Sequence, residues 1–431
     1  MRNKRVWLII AAAIALGLGS QAYAFHDGGV AECGGCHSMH AAEASEYLLV
    51  KSDASSTCLD CHESVGDTGP TRYHISTPQA ELSASTDIPV QRTPGGDFGW
   101  LRQDLFATAT YYAPISNYGY TRGHNIIAAD NGYIVDGENP TAPGGSMPSA
   151  QLDCASCHDP HGQGRIDSTG AVVFPTIGTT FPPIVDSGSY GAIPDAGEAV
   201  GVYRLLGTSG YTAWDAVNFP GAPSAVVPSD YNRSEAVNPT RVAYGYGVAN
   251  GYQSWGRWCG TCHPDMHTDT PGAPGGVVHP VDDTLGGEAA NYNFYVKTGD
   301  LTGDQTNSFT SLVPISSPTT DIATLANLAA NDGSRPMGPS GAYRLNCMTC
   351  HRAHAGGWKY ILRWNGEAEF LTLGDPATPI YPGTDAGLGN QGQFNRGYTT
   401  AQMAAAYYDR PADLEFAGHQ RVLCNKCHLK D

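Results

Sequence analysis

Positive charge is scarce in this 431-residue sequence: 24 lysines and arginines stand against 41 aspartates and glutamates, a formal net charge of -17. Such an acidic chain repels phosphate backbones and anionic lipid, so no nucleic acid is expected as a partner and no passive binding to acidic membranes. Long apolar runs are missing too. Beyond residues 6–18 no stretch is long and uninterrupted enough to cross a bilayer as a helix, so no transmembrane segment is expected. Helical periodicity is confined to short pieces, the better ones at residues 323–330 and 400–408. No repeat of fixed period is present, which excludes a solenoid.

Glycine and proline, by contrast, are abundant, at 53 and 29 residues. They cluster in turn signals such as Thr93-Pro-Gly-Gly96, Ala142-Pro-Gly-Gly145 and Pro336-Met-Gly-Pro339. The expected fold is mostly irregular and loop-rich, with short helices and few strands. Disorder does not follow, because aromatics reach 10% and charged residues only 15%, the opposite of a disordered composition. Something other than long amphipathic elements must organise the chain.

Twelve cysteines supply the answer, because none lies outside one five-residue pattern, Cys-x-x-Cys-His. The six copies are Cys33/Cys36/His37, Cys58/Cys61/His62, Cys154/Cys157/His158, Cys259/Cys262/His263, Cys347/Cys350/His351 and Cys424/Cys427/His428. Two thiols three residues apart reach the two vinyl groups on one side of a porphyrin, and the next histidine delivers an imidazole to the iron. Zinc ribbons do not demand a histidine after each second cysteine, and a disulfide framework would not repeat one local spacing without remainder. Six covalently bound haems c are therefore expected. Their flat apolar bodies would take the place of a side-chain core and staple the loops around them. The motifs start 25, 96, 105, 88 and 77 residues apart, so no repeat beyond the pentads themselves is apparent.

The amino terminus reads as an export signal. Basic Arg2, Lys4 and Arg5 precede the apolar run at 6–18, and Ala22-Tyr-Ala24 offers a small-residue cleavage site. Residues 1–24 are thus expected to be a signal peptide, a membrane anchor being the alternative, and residues 25–431 a single extended domain. Haem attachment outside the cytoplasm agrees with export. The product is secreted, at the cell surface or beyond it, with the periplasm as the alternative compartment.

The sixth ligand of each iron separates electron transfer from catalysis. Fifteen histidines are present and six are proximal, leaving His26, His40, His74, His124, His161, His267, His279, His354 and His419. Nine exceed six, so every iron can be closed by two imidazoles. His40, His161 and His354 each follow a motif as H-x-x-H, and His267 follows one residue wider. Such a histidine emerges on the proximal side and can hardly reach round its own porphyrin, so it should serve a different haem or be a surface residue. His26, His74, His124 and His279 stand alone in turn-like contexts, and His419 is set aside as a non-ligand. Eight candidates thus compete for six positions. Met39 and Met266 are weaker options as thioether ligands. A closed iron has no substrate site, so an electron carrier is expected in place of an enzyme; the alternatives are a discrete periplasmic shuttle or a multihaem reductase of a small nitrogen or sulfur species. The lysine-ligated variant of the motif common in such reductases, Cys-x-x-Cys-Lys, is absent.

Stretches between the motifs carry a further signal. Gly28-Gly-Val-Ala-Glu-Cys33, Tyr73-His-Ile-Ser-Thr77, Thr93-Pro-Gly-Gly-Asp-Phe-Gly-Trp100, Gly123-His-Asn-Ile126, Arg241-Val-Ala-Tyr-Gly245 and Thr298-Gly-Asp-Leu-Thr-Gly303, with Cys350-His-Arg-Ala-His354, are similar to the outer-surface hexahaem cytochromes of OmcS type from metal-reducing bacteria. That resemblance implies bis-histidine ligation and a chain of stacked haems wrapped by loops. It also implies polymerisation into conductive extracellular filaments that pass electrons to external acceptors or redox partner proteins. In that family a histidine just after the first motif ligates a haem of the adjoining subunit, and His40 is the matching residue.

Overall fold

The computed structural model describes residues 33–40, 43, 47–64, 74–82, 87–102, 119–160, 165–166, 172–173, 206–207, 211, 219–221, 223–227, 240–247, 254–267, 280–296, 301–330, 332–366, 370–371, 400–409 and 423–428. The helices are short: α1 Cys33–Cys36, α2 Ala54–His62, α3 Trp255–Gly260, α4 Glu288–Phe294, α5 Ile322–Ala326, α6 Cys347–Cys350 and α7 Thr400–Ala406. The strands are shorter still. β1 Arg165–Ile166 pairs antiparallel with β2 Val172–Val173, and β3 Ala225–Val226 with β4 Ala243–Tyr244. The loop-rich class expected from composition is what the chain adopts, and both helical pieces read from periodicity are present as α5 and α7.

Local chemistry fixes where the motif-bearing turns begin. The Asp53 carboxylate accepts from the Ser56 amide at 2.7 Å and caps α2, which carries Cys58, Cys61 and His62. Asp153 does the same for the turn Cys154–Ser156, and Ser254 caps α3 ahead of Cys259. Before α6, the Asn346 amide donates to Thr349 Oγ1 at 3.1 Å. The Asp53, Asp153 and Ser254 caps satisfy amides that the first helical turn leaves unpaired. Several caps reach further: Asp53 also accepts from the Ala129 amide, and Ser254 donates to Asp282.

Buried side chains gather in two clusters beside the motif turns. The larger one contains Leu59, Trp100, Tyr292, Leu312, Trp358 and Tyr407, all between 0% and 3% exposed. The second packs β3 and β4 with Phe219, Trp255, Trp258 and Leu325. Phe219 stacks on Trp258 at 5.3 Å, and Trp255 meets Tyr244 edge-on at 5.6 Å. Aromatics do this work because each buries a large area with little loss of rotamer freedom, which suits a chain with few long elements. Both clusters lie against motif cysteines, Cys154 and Cys350 at the larger and Cys157 and Cys259 at the smaller.

Buried cations are fixed by backbone carbonyls and ring faces. Lys426, inside the last motif, donates to the Tyr295 and Ser308 carbonyls at 2.7 and 2.9 Å and sits 4.2 Å over the Tyr292 ring. Burial pulls its ammonium down to about 7. Arg352, two residues past Cys350, lies 3.6 Å over the Tyr408 ring, whose hydroxyl donates to the Thr93 carbonyl.

Candidate haem sites

Each pentad folds as one helical turn. The histidine amide donates back to the carbonyl of the first cysteine in His158, His263, His351 and His428, at 2.9 to 3.1 Å. That turn sets the two cysteines three residues apart on one face and the imidazole beyond them. The motifs also succeed one another in space. Cys58 and Cys154 are hydrogen-bonded neighbours, as are Cys259 and Cys347. Cys36 acts electrostatically on Cys58, Cys262 on Cys157, and Cys424 and Cys427 on Cys350. Motif order along the chain is therefore motif order in space. Burial pushes the Cys350 thiol up to about 12, and Cys157 higher.

Two imidazole pairs face each other across the chain. The ring of His158 lies 6.3 Å from that of His354, and the ring of His263 lies 6.0 Å from that of His124. With metal–imidazole bonds of about 2.0–2.1 Å, two rings sharing one metal stand roughly 6 Å apart between centroids. Both separations match that value. His354 is the second member of an H-x-x-H pair, and its ring lies against that of the third motif's His158. His124, one of the lone histidines, meets the fourth.

Tautomers are set by carbonyls. Nδ1 of His37 bonds the Tyr47 carbonyl at 2.8 Å, His124 that of Ala353 at 2.6 Å, His263 that of Pro143 at 2.8 Å and His351 that of Tyr360 at 2.7 Å. A carbonyl only accepts, so each Nδ1 carries the proton and the lone pair lies on Nε2, the nitrogen a metal would take. Burial holds His124, His158 and His354 neutral. His124 and His158 fall to about 4 and His354 to about 3, chiefly through desolvation and then through neighbouring histidines: His263 for His124, His62 for His158 and His158 for His354.

The two Pro-Gly-Gly turns prove to be parts of the site. Residues 353–355 lie between residues 95–97 and 122–124: the His354 amide donates to the Gly95 carbonyl at 2.7 Å, Asp97 to Ala355 at 3.1 Å, His124 to His354 at 2.9 Å and Gly356 to Arg122 at 2.9 Å. Gly96 has φ 104°, and a Cβ there would fall 1.7 Å from the Ala355 oxygen. Gly145 is held likewise, a Cβ falling 1.9 Å from the Cys262 carbonyl, so the second turn can present Pro143 to His263. In sequence alone both are turn signals.

A local repeat also emerges that motif spacing does not reveal. Around the first motif, the Ser38 amide donates to the Leu48 carbonyl, Val50 to Cys36, and His37 bridges Leu49. Around the fifth, Arg352 donates to Ile361, Arg363 to Cys350, and His351 bridges Leu362. Leu48 and Ile361 both adopt the left-handed region, at φ 53° and 60°. The shared signal is Cys-His-x-x-His-Ala followed by Tyr-(Leu/Ile)-Leu, as residues 36–41 with 47–49 and residues 350–355 with 360–362.

His40 is exposed and Met39 is 80% exposed, while His74 is half-buried. Of His267 the backbone alone is described, closing the turn Pro264–His267, and of Cys33 the backbone within α1. His26, His161, His279 and His419 lie outside the described residues. Among the described residues no three His, Cys, Asp or Glu side chains converge, and the imidazoles that do meet stand in pairs, which fits a planar macrocycle between them.

The chain has relatives among known proteins over all or nearly all of its length. The doubled CXXCH motif family matches residues 26–67. The chain is 41% identical over 452 aligned residues to the C-type cytochrome OmcS of Geobacter sulfurreducens, spanning all of both chains. It is similar to the outer membrane cytochrome S filament of that organism with a TM-score of 0.76 and 41% identity, and to the OmcS nanowires with 0.74 and 38%. Each match covers 94% of this chain and all of the other. With its motif turns, paired imidazoles and full-length likeness, the chain belongs to the OmcS family of c-type cytochromes.

Proposed function

We propose that the chain is an electron-transfer subunit that binds six haems c, one at each pentad, and polymerises into extracellular filaments carrying electrons to external acceptors. The observation that carries this reading is the pairing of His158 with His354 and of His263 with His124 at 6.3 and 6.0 Å. Haem c supplies a one-electron ferric/ferrous couple when bound. The residues do the rest. Paired imidazoles leave no open coordination position, so no substrate is bound and turned over. The motif turns, three of them capped by Asp53, Asp153 and Ser254, hold neighbouring sites close enough for electrons to pass without motion of the chain. Residues 1–24 act as the export signal and residues 25–431 as the mature subunit.

The remaining distal ligands come from His26, His40, His74, His161, His267 and His279. His40 acts between copies: it is exposed, it points away from its own motif in sequence terms, and its counterpart His354 serves another motif. Electron microscopy of secreted material, with spectroscopy of the ferric protein, tests the proposal. The expected result is filaments containing only low-spin haem, and for His40→Ala dispersed subunits with about one high-spin haem each. Monomeric wild-type protein with every iron six-coordinate overturns it.

A further inference from the structure

The local repeat allows the missing neighbour of the first module to be read from the fifth. In the fifth module the segment after Cys-His is enclosed within the chain. The Ala353 carbonyl accepts from Nδ1 of His124 at 2.6 Å, the His354 carbonyl from the His124 amide at 2.9 Å, and the His354 amide donates to Gly95 at 2.7 Å. The histidine so held faces His263, the proximal residue of the motif one step back. In the first module the equivalent residues are Met39 and His40, and both are exposed. Their carbonyls and amide are the same three groups, carried on the same scaffold of His37, Leu48 and Leu49.

The equivalent enclosing segments of this chain are already taken by residues 353–355. One motif back from the first, moreover, there is no motif within the chain. Stepping back one position crosses to the last motif of another copy, whose proximal histidine is His428. We infer that the Met39 carbonyl accepts a hydrogen bond from Nδ1 of the imidazole opposite His428 in a neighbouring copy, as the Ala353 carbonyl does for His124 within the chain. The His40 carbonyl takes that histidine's backbone amide. Met39 is thus a positioning residue acting between copies: it fixes the tautomer of a ligand on the neighbour's last haem while His40 ligates elsewhere.

The contact is polar and directional, so it selects head-to-tail addition and gives an open polymer in preference to a closed dimer. It rests on the assembly reading above. The test is a cryo-EM reconstruction of the native secreted polymer at side-chain resolution. The expected result is a Met39 oxygen within about 3.2 Å of a ring nitrogen of a histidine whose other ring nitrogen points at the iron facing His428 of the next copy. Assembled filaments in which that oxygen meets solvent or any other group overturn this inference and leave the assembly reading standing. Secreted protein that forms no polymer overturns both.

Discussion

His354 and His158 face each other at 6.3 Å, and the backbone of His354 is pinned on both sides, to Gly95 through its amide and to His124 through its carbonyl. In the proposed assignment the third-motif site is closed by a residue that belongs to the fifth. His354→Ala should open one iron per chain. The expected outcome is a high-spin ferric signal amounting to about one haem equivalent, together with cyanide or carbon monoxide binding at that haem. Electron paramagnetic resonance against haem content measures it. Unchanged low-spin spectra would place the third-motif ligand elsewhere.

Gly96 is predicted to be as important as the histidine it never touches through a side chain. A methyl group at φ 104° and 1.7 Å from the Ala355 oxygen cannot be accommodated without moving residues 353–355. Gly96→Ala should cost roughly 1–3 kcal/mol from backbone strain, with displacement added, and should produce part of the His354→Ala high-spin signal. Gly132, at φ 78° with open space around it, is the control. Gly132→Ala should lower stability by strain alone and leave the ligand field untouched.

These two sites show what a sequence can and cannot disclose. The pentads, the surplus of histidines and the expectation that His354 does not serve its own haem all follow from local spacing. Loop-rich architecture followed from glycine and proline. By contrast, which iron His354 or His124 serves depends on tertiary proximity, to which spacing is blind. The carbonyls of Tyr47, Pro143, Ala353 and Tyr360 were invisible because any residue supplies a carbonyl. Their one trace is indirect: the recurrence of Tyr-(Leu/Ile)-Leu behind two of the motifs. The side-chain clusters around Trp100 and Trp255 were underestimated because scattered aromatics have no period to detect.

Arg102 and Glu63 form an ion pair at 2.8 Å, with side chains 2% and 13% exposed. The same guanidinium donates to the Thr77 and Asn131 carbonyls and lies 4.0 Å over the Tyr133 ring. Glu63 directly follows His62, so the pair anchors the end of α2. Arg102→Met leaves a carboxylate unpaired in a nearly closed site and should destabilise the fold by about 3–5 kcal/mol. Arg102→Lys should recover little, since one ammonium cannot span three acceptors. Glu63→Gln combined with Arg102→Met should be less damaging than Arg102→Met alone. Denaturant unfolding followed by the visible haem band gives all three values.

The left-handed turn behind the fifth motif has a predicted electronic consequence. Ile361 holds φ 60°, a rare conformation for a β-branched residue, and Tyr360 holds 61°. This backbone presents the Tyr360 carbonyl to Nδ1 of His351 at 2.7 Å. A hydrogen bond there raises the basicity of the imidazole and favours the ferric state of the iron it ligates. Proline fixes φ near -65°, so Ile361→Pro must swing the carbonyl away, whereas Ile361→Gly keeps the observed conformation open. Spectroelectrochemical titration should therefore show about one sixth of the haem amplitude moving to more positive potential in Ile361→Pro and none moving in Ile361→Gly. Leu48→Pro and Leu48→Gly, at φ 53° behind the first motif, should repeat the contrast. Equal shifts in the proline and glycine variants would mean that loosening of the turn, and not the direction of its carbonyl, sets the potential.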